Sequence, residues 1–242
     1  MTLDMSVEIG NAEDGPGCLS GIKLLWTDPP YCTGKRKSRA GLSYPDPADP
    51  ERIVEALNLW LPAMDCDGTV CVCVDYHAAP AIAGALGWTY RGEIVWEFGL
   101  GRPRTSWWPV RHNNILTFTR TPKSGLFDAD AAPRTKRIRP KVYGKDYGDT
   151  KPSGSVWDFT MSNNHSERVR YPNQKPLEII APFILAHTHE GDLVADPFCG
   201  SSSTGAAAIR HGRRYYGRDS SSDAVATSIA RLDIEKRNLR LV

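Results

Sequence analysis

The sequence predicts an α/β fold, a doubly wound and mostly parallel seven-stranded sheet with an antiparallel hairpin at one edge. Three observations predict it. Short apolar runs bounded by Gly and Pro alternate with segments whose apolar residues recur at helical spacing. Two of those runs, 22–27 and 192–196, end in polar turns, Asp28-Pro29-Pro30-Tyr31 and Asp196-Pro197-Phe198-Cys199-Gly200. In an open α/β sheet, ligands gather at such carboxyl ends of strands. Finally, the runs 90–98 and 113–119 follow one another with no helix between them, which reads as an antiparallel pair.

Taken in order, a short strand near residue 6 and a turn at Gly15-Pro16-Gly17 lead into the strand 22–27. Residues 32–50 form a loop, because Pro45, Pro47 and Pro50 interrupt regular structure. Asp49 is placed to cap a helix that begins at Pro50, the favoured first helical position. Ile53, Leu57, Trp60 and Leu61 give that helix one buried face. The run 69–75 lacks polar alternation, as a central strand covered on both faces would. A helix over about 77–86, the strand pair and a long irregular segment follow. The body resumes with a helix from Pro176 to His187, in which Pro182 requires a kink or a later start. A strand at 192–196, a helix at 204–211, a strand at 213–217 and a helix at about 222–237 complete the chain.

Composition narrows the class. Hydrophobic residues are 40% and charged residues 24%, which is globular rather than disordered. No apolar run approaches the roughly 18 residues that a membrane span needs, and no signal peptide is read at the N-terminus. None of the six cysteines forms a Cys-x-x-Cys pair, so no metal site is expected and free thiols in a reducing cytoplasm are. Net charge is only +2, but residues 121–170 hold ten Lys and Arg against six acids. A basic insertion on a slightly acidic body suits a polyanion-binding appendage, and equally a solvated loop that happens to be basic.

The two turns offer different chemistry. Around Gly200 the plan is strand, small-residue turn, helix, strand, acid, in which Asp219 is placed to accept ribose hydroxyls. A helix cap plus a surface Asp would look the same. Asp28-Pro29-Pro30-Tyr31 makes a rigid lip poor in donors, because proline has no N–H. Asp28 and a proline carbonyl could take both hydrogens of an exocyclic amine, and Tyr31 could stack on a flat ring. Two acceptors favour the pyramidal nitrogen whose lone pair is localised, which is preorganised electrostatic catalysis.

These residues resemble the β group of the amino-group DNA methyltransferases, with the catalytic motif first and the cofactor motif last. The stretch Tyr171-Pro172-Asn173-Gln174-Lys175-Pro176-Leu177-Glu178 resembles that family's signature before the cofactor strand. Arg213 to Asp219 resembles its second cofactor strand, and Ser155-Val156-Trp157-Asp158 the end of its recognition insertion. The resemblance implies a Rossmann-like methyltransferase fold, with residues 1–120 as the catalytic half, 121–170 as a target-recognition insertion and 171–242 as the cofactor-binding half. It implies S-adenosyl-L-methionine as cofactor, seated by Asp196, Phe198, Gly200, Ser202 and Thr204, with Asp219 on the ribose and Gln174 and Lys175 near its methionine end. It implies Asp28, Pro29, Pro30 and Tyr31 as the catalytic motif, acting on a base flipped out of duplex DNA. DNA contacts are expected from Lys35, Arg36, Arg102, Arg104, Trp107, Arg134, Lys136, Arg137, Arg139 and Lys141.

Adenine N6 is the expected target, since Asp rather than Ser stands at position 28. Cytosine N4 is the alternative; a catalytically weak DNA-binding relative and an RNA methyltransferase are the others. A homodimer and a cognate restriction enzyme belong to the same expectation, as does a cytoplasmic setting in a prokaryotic cell or phage-infected host. The chain departs from the family pattern at Ser202, where a second glycine is usual, at Tyr171 and Asn173, and at Asn113, where relatives often carry an acid.

Overall fold

The computed structural model describes residues 4–32, 37–39, 42–44, 49–97, 108–136, 141–142, 145–146, 150–157, 169, 171 and 173–239. The main strands are β1 (Met5–Ile9), β2 (Ile22–Thr27), β3 (Met64–Val74), β4 (Thr89–Glu97), β5 (His112–Thr119), β6 (Val156–Trp157), β7 (Leu193–Asp196) and β8 (Arg214–Asp219). They form one sheet in the order β1-β8-β7-β2-β3-β5-β4-β6. Within it, β5 runs antiparallel to both neighbours, β3 and β4. The other pairs are parallel.

All seven strands expected from the sequence are present. The eighth, β6, pairs with Val95 and Trp96 and covers the outer edge of β4. The hairpin therefore lies one strand in from the edge. Trp157 holds β6 there: it is buried, its ring lies 5.4 Å from that of Phe183, and its indole N–H donates to the Gly154 carbonyl at 2.8 Å. A two-residue strand has no periodicity of its own, so its place is set by that one tryptophan.

The α-helices among the described residues are α1 (Pro50–Trp60), α2 (Ala79–Ala85), α3 (Leu177–His187), α4 (Ser203–Arg210) and α5 (Ser222–Leu239). Asp49 caps α1, accepting from the Glu51 N–H at 3.1 Å with Pro50 at the first position. The helix α3 begins at Leu177 and continues through Pro182.

Strand alternation divides the core in two. On one face Val70, Val72 and Val74 of β3 pack with Leu57, Trp60 and Ile82 of α1 and α2. On the other, Cys71 and Cys73 pack with Leu24, Trp26, Ile180 and Ile184. Each fully buried aliphatic or aromatic side chain contributes roughly 1.5–3 kcal/mol relative to exposure. The cysteines of β3 thus serve as small apolar residues, and all six are free thiols.

The functional consequence lies in the middle of the sheet. Strands β7 and β2 are parallel neighbours, with Val194 opposite Leu24 and Ala195 opposite Leu25. From β2 the sheet continues toward β3, and from β7 toward β8. That reversal is a topological switch point, and it opens a crevice beyond the carboxyl ends of the strands. Asp28 and Asp196 emerge into it side by side.

Candidate active site

The turn after β7 is built around a buried carboxylate. Asp196 Oδ1 accepts from the Thr27 hydroxyl at 2.6 Å and the Phe198 N–H at 3.1 Å, and Oδ2 from the Thr204 hydroxyl at 2.7 Å. It therefore ties β2, the turn and α4 together. Burial, only partly offset by those donors, pushes its carboxyl up to about 7. Thr204 and Asp196 line the crevice, but their polar atoms are spent on each other.

Ser202 is where the family pattern usually has glycine, and its φ of +50° is left-handed. The expectation that its side chain meets a cofactor is not met. Ser202 is fully buried, and its hydroxyl lies 3.2 Å from that of Tyr215, behind the turn. The backbone conformation accounts for this. The Ser202 N–H closes the turn onto the Cys199 carbonyl at 2.7 Å, and the left-handed residue aims its Cβ inward.

Gly200 has φ +52°, and a Cβ there would lie 3.0 Å from the Tyr171 ring. Its N–H donates to Asp219 Oδ2 at 2.9 Å, and the Ser221 N–H donates to Oδ1 at 2.9 Å. Two hydrogen bonds leave about half of the acceptor capacity of a carboxylate free. Burial raises the carboxyl of Asp219 above the ordinary range. From behind, the Ser228 hydroxyl donates to the Gly200 carbonyl at 2.7 Å, and buried Arg231 donates to the Ser201 carbonyl at 3.1 Å. These two residues of α5 satisfy turn carbonyls that would otherwise be buried alone.

The turn after β2 forms the other wall. Lys175, itself buried, pairs with Asp28 Oδ2 and donates to the Tyr31 hydroxyl at 2.6 Å. Asn113 Nδ2 donates to the same hydroxyl at 3.0 Å. Lys175 is expected near the methionine end of a cofactor; in the structure it lines the cavity and stands against Asp28. The reason is local. Lys175 directly precedes Pro176, the N-cap of α3, and its ammonium turns onto the Asp28 carboxylate. Burial raises the carboxyl of Asp28 above the usual range although Lys175 opposes the shift. The Tyr31 phenol is held well above its ordinary value by burial and by Asp28, so it keeps its proton.

Both turns face one cavity of about 330 Å³. Its walls include Asp28, Pro29, Pro30 and Tyr31 on one side, and Phe198, Gly200, Thr204 and Asp219 on the other, with Gln174 and Lys175 between. Gln174 Oε1 accepts from the Val169 N–H at 2.9 Å. Asn11, Glu13 and Arg52 also line it, and Arg52 donates to Glu13 at 3.1 Å. Sequence reading missed these three: nothing in the first fourteen residues carries a motif, and Arg52 sits in the first turn of α1 with no motif around it. Thr27 was missed too, although a hydroxyl at the end of the strand before Asp28 was a usable signal.

Of the candidate DNA contacts, Lys35, Arg36, Arg102, Arg104, Trp107, Arg137 and Arg139 lie outside the described residues. Arg134 and Lys136 belong to a strand, Arg134–Lys136, that pairs antiparallel with Thr150–Pro152. Lys141 belongs to a two-residue strand paired with Lys145–Asp146. Trp108 is 80% exposed. Among the described residues, no helix is long and apolar enough to cross a membrane.

Comparison with known proteins agrees with this geometry. Residues 22–230 match the family described as DNA methylase. The chain is 28% identical over 225 residues to the DNA adenine methyltransferase YhdJ of Escherichia coli (strain K12), covering 88% of this chain and 76% of that protein. A crystal structure of an M1.HpyAVI–SAM complex superposes with a TM-score of 0.69 at 20% identity, covering 95% of this chain and 99% of the other. The PvuII DNA methyltransferase (cytosine-N4-specific) has the same TM-score, 0.69, at 17% identity, covering 99% and 94%. Motif order, switch-point crevice and family match converge, and the chain belongs to the N6/N4 DNA methylase family.

Proposed function

We propose that the protein transfers a methyl group from S-adenosylmethionine to the exocyclic amine of a base in DNA, adenine N6 being the target. The observation that carries this is the single cavity shared by Asp28–Tyr31 and Phe198–Asp219. The cofactor wall fits its ligand in kind. Gly200 leaves open the point where a Cβ would crowd Tyr171, and Asp219 offers free acceptor capacity to a ribose. The sulfonium of the bound cofactor supplies the methyl group.

The chain's own residues do the rest. Asp28 accepts from the target amine and holds its nitrogen toward the donor. Pro29, which has no N–H, leaves its neighbourhood free of a competing backbone donor. Tyr31 supports the ring. A base stacked inside a duplex cannot enter such a cavity, so the target nucleotide is extruded. The residues at 134–141 and the loops after β2 and β4 supply the basic groups that hold the phosphates. YhdJ, by name an adenine methyltransferase, supports adenine, and so does Asp at position 28. The fold likeness to a cytosine-N4 enzyme makes cytosine the competing target.

The test is product identity. DNA methylated by the purified protein, digested to nucleosides and weighed, should contain N6-methyldeoxyadenosine. N4-methyldeoxycytidine would transfer the assignment to cytosine, and label in RNA but not in DNA would remove the DNA reading.

A further inference from the structure

Lys175 is the residue whose position the family resemblance did not foresee. Its ammonium pairs with Asp28 at Oδ2. Asp28 Oδ1 is buried, and among the described residues it has no partner at hydrogen-bond geometry. The Tyr31 hydroxyl accepts from both Lys175 and Asn113. A phenol oxygen has two lone pairs, so its own proton is left to point at Asp28. Lys175 also lies 5.0 Å from the centroid of the Tyr31 ring, so the same ammonium steadies the ring and the carboxylate. Asp28 and Tyr31 line the same cavity, so a donor entering it meets the carboxylate beside the ring.

We propose that Lys175 is a positioning residue for methyl transfer: by clamping Asp28 and the Tyr31 hydroxyl together, it fixes the carboxylate and the ring that meet the incoming amine. The inference rests on the proposed reaction at the same cavity. It assigns Lys175 to the amine-accepting side, not to the methionine end of the cofactor. The clamp also opposes the upward shift that burial imposes on the Asp28 carboxyl. Asn113 extends the clamp: it saturates the second lone pair of Tyr31 with a donor, where an acid would draw the phenol proton away from Asp28.

The test compares Lys175→Met and Lys175→Arg with the parent, in two experiments. The first needs no turnover. In protein carrying ¹³C-carboxyl aspartate, the Asp28 resonance is the one absent from Asp28→Asn. Its titration midpoint should move to higher pH in Lys175→Met and return toward the parent value in Lys175→Arg. The second measures single-turnover methylation and cofactor affinity by calorimetry. Lys175→Met should lose about 10²-fold in rate, as expected of a misplaced reacting group, with cofactor affinity unchanged and the acid limb of the pH–rate profile moved upward. A tenfold loss of cofactor affinity, with the Asp28 midpoint and the acid limb unmoved, would overturn the proposal and put Lys175 on the cofactor. If the parent protein methylated no DNA, the reaction assigned above would fail, while an upward-shifted Asp28 midpoint would still establish the clamp.

Discussion

Asp28 and Asp196 are both carboxylates at the ends of neighbouring strands, and their partners separate their roles. Asp196 has both oxygens occupied by Thr27, Phe198 and Thr204, so it organises the turn. Asp28 is held by Lys175 at the lip of the cavity, beside Tyr31, where the proposed reaction needs an acceptor. The separation was only half legible in the sequence. The Asp-Pro-Pro-Tyr turn marked Asp28 by its lack of competing donors, whereas Asp196 looked like a ligand contact because Thr27 and Thr204 are brought to it by the fold. Asp196 also makes a prediction about pH. Its carboxyl is raised to about 7 in the folded protein. A raised folded value means the native state holds the proton more tightly. The stability from this group is therefore full below the ordinary aspartate range near pH 4 and is lost as pH rises through about 7. The thermal midpoint of the parent should fall more between pH 5 and 8 than that of Asp196→Asn; parallel declines would contradict the assignment. Asp219 belongs to the same scale. Its removal in Asp219→Ala deletes a charged acceptor worth about 1.5–3 kcal/mol, so cofactor Kd should rise roughly 10–100-fold by calorimetry.

At the scale of elements, the turn from β7 into α4 is held by groups distant in sequence. Ser228 and Arg231 of α5 reach its carbonyls, and Tyr215 of β8 fills the space behind it. A Cβ on Gly205 would lie 2.5 Å from the Tyr215 ring. Gly205→Ala should therefore cost about 1–3 kcal/mol through overpacking, seen as a lowered denaturation midpoint at unchanged denaturant slope. An unaltered midpoint would mean that Tyr215 moves aside freely. The helix and strand positions of this element were readable from its small residues and apolar runs. Its buttressing was not, because Arg231 and Ser228 sit in α5 with the pattern of an ordinary amphipathic helix. The edge strand β6 was unreadable as a strand for a related reason: two residues carry no period, and one buried tryptophan decides their place.

At the scale of the whole molecule, the order of the strands turns two distant peptides into one crevice. That arrangement was legible because each peptide follows an apolar strand and because strand ends are where an α/β sheet binds ligands. The basic insertion was legible as charge but not as contact, since the residues that touch a phosphate depend on loop geometry and not on composition. If residues 134–139 hold DNA, neutralising Arg134, Lys136 and Arg137 together should weaken binding and flatten the salt dependence, by roughly 0.9 in log–log slope for each phosphate no longer neutralised. An unchanged slope would put the phosphates elsewhere. The central claim is that one turn seats the donor and the other the acceptor, and a single comparison tests it most directly. Asp28→Ala is assayed for transfer of labelled methyl groups to duplex DNA and, in parallel, for cofactor binding by calorimetry. Transfer should fall by at least about 10²–10³-fold while cofactor Kd stays at the parent value; retained transfer, or loss of cofactor binding together with transfer, would contradict the division of labour between the two turns.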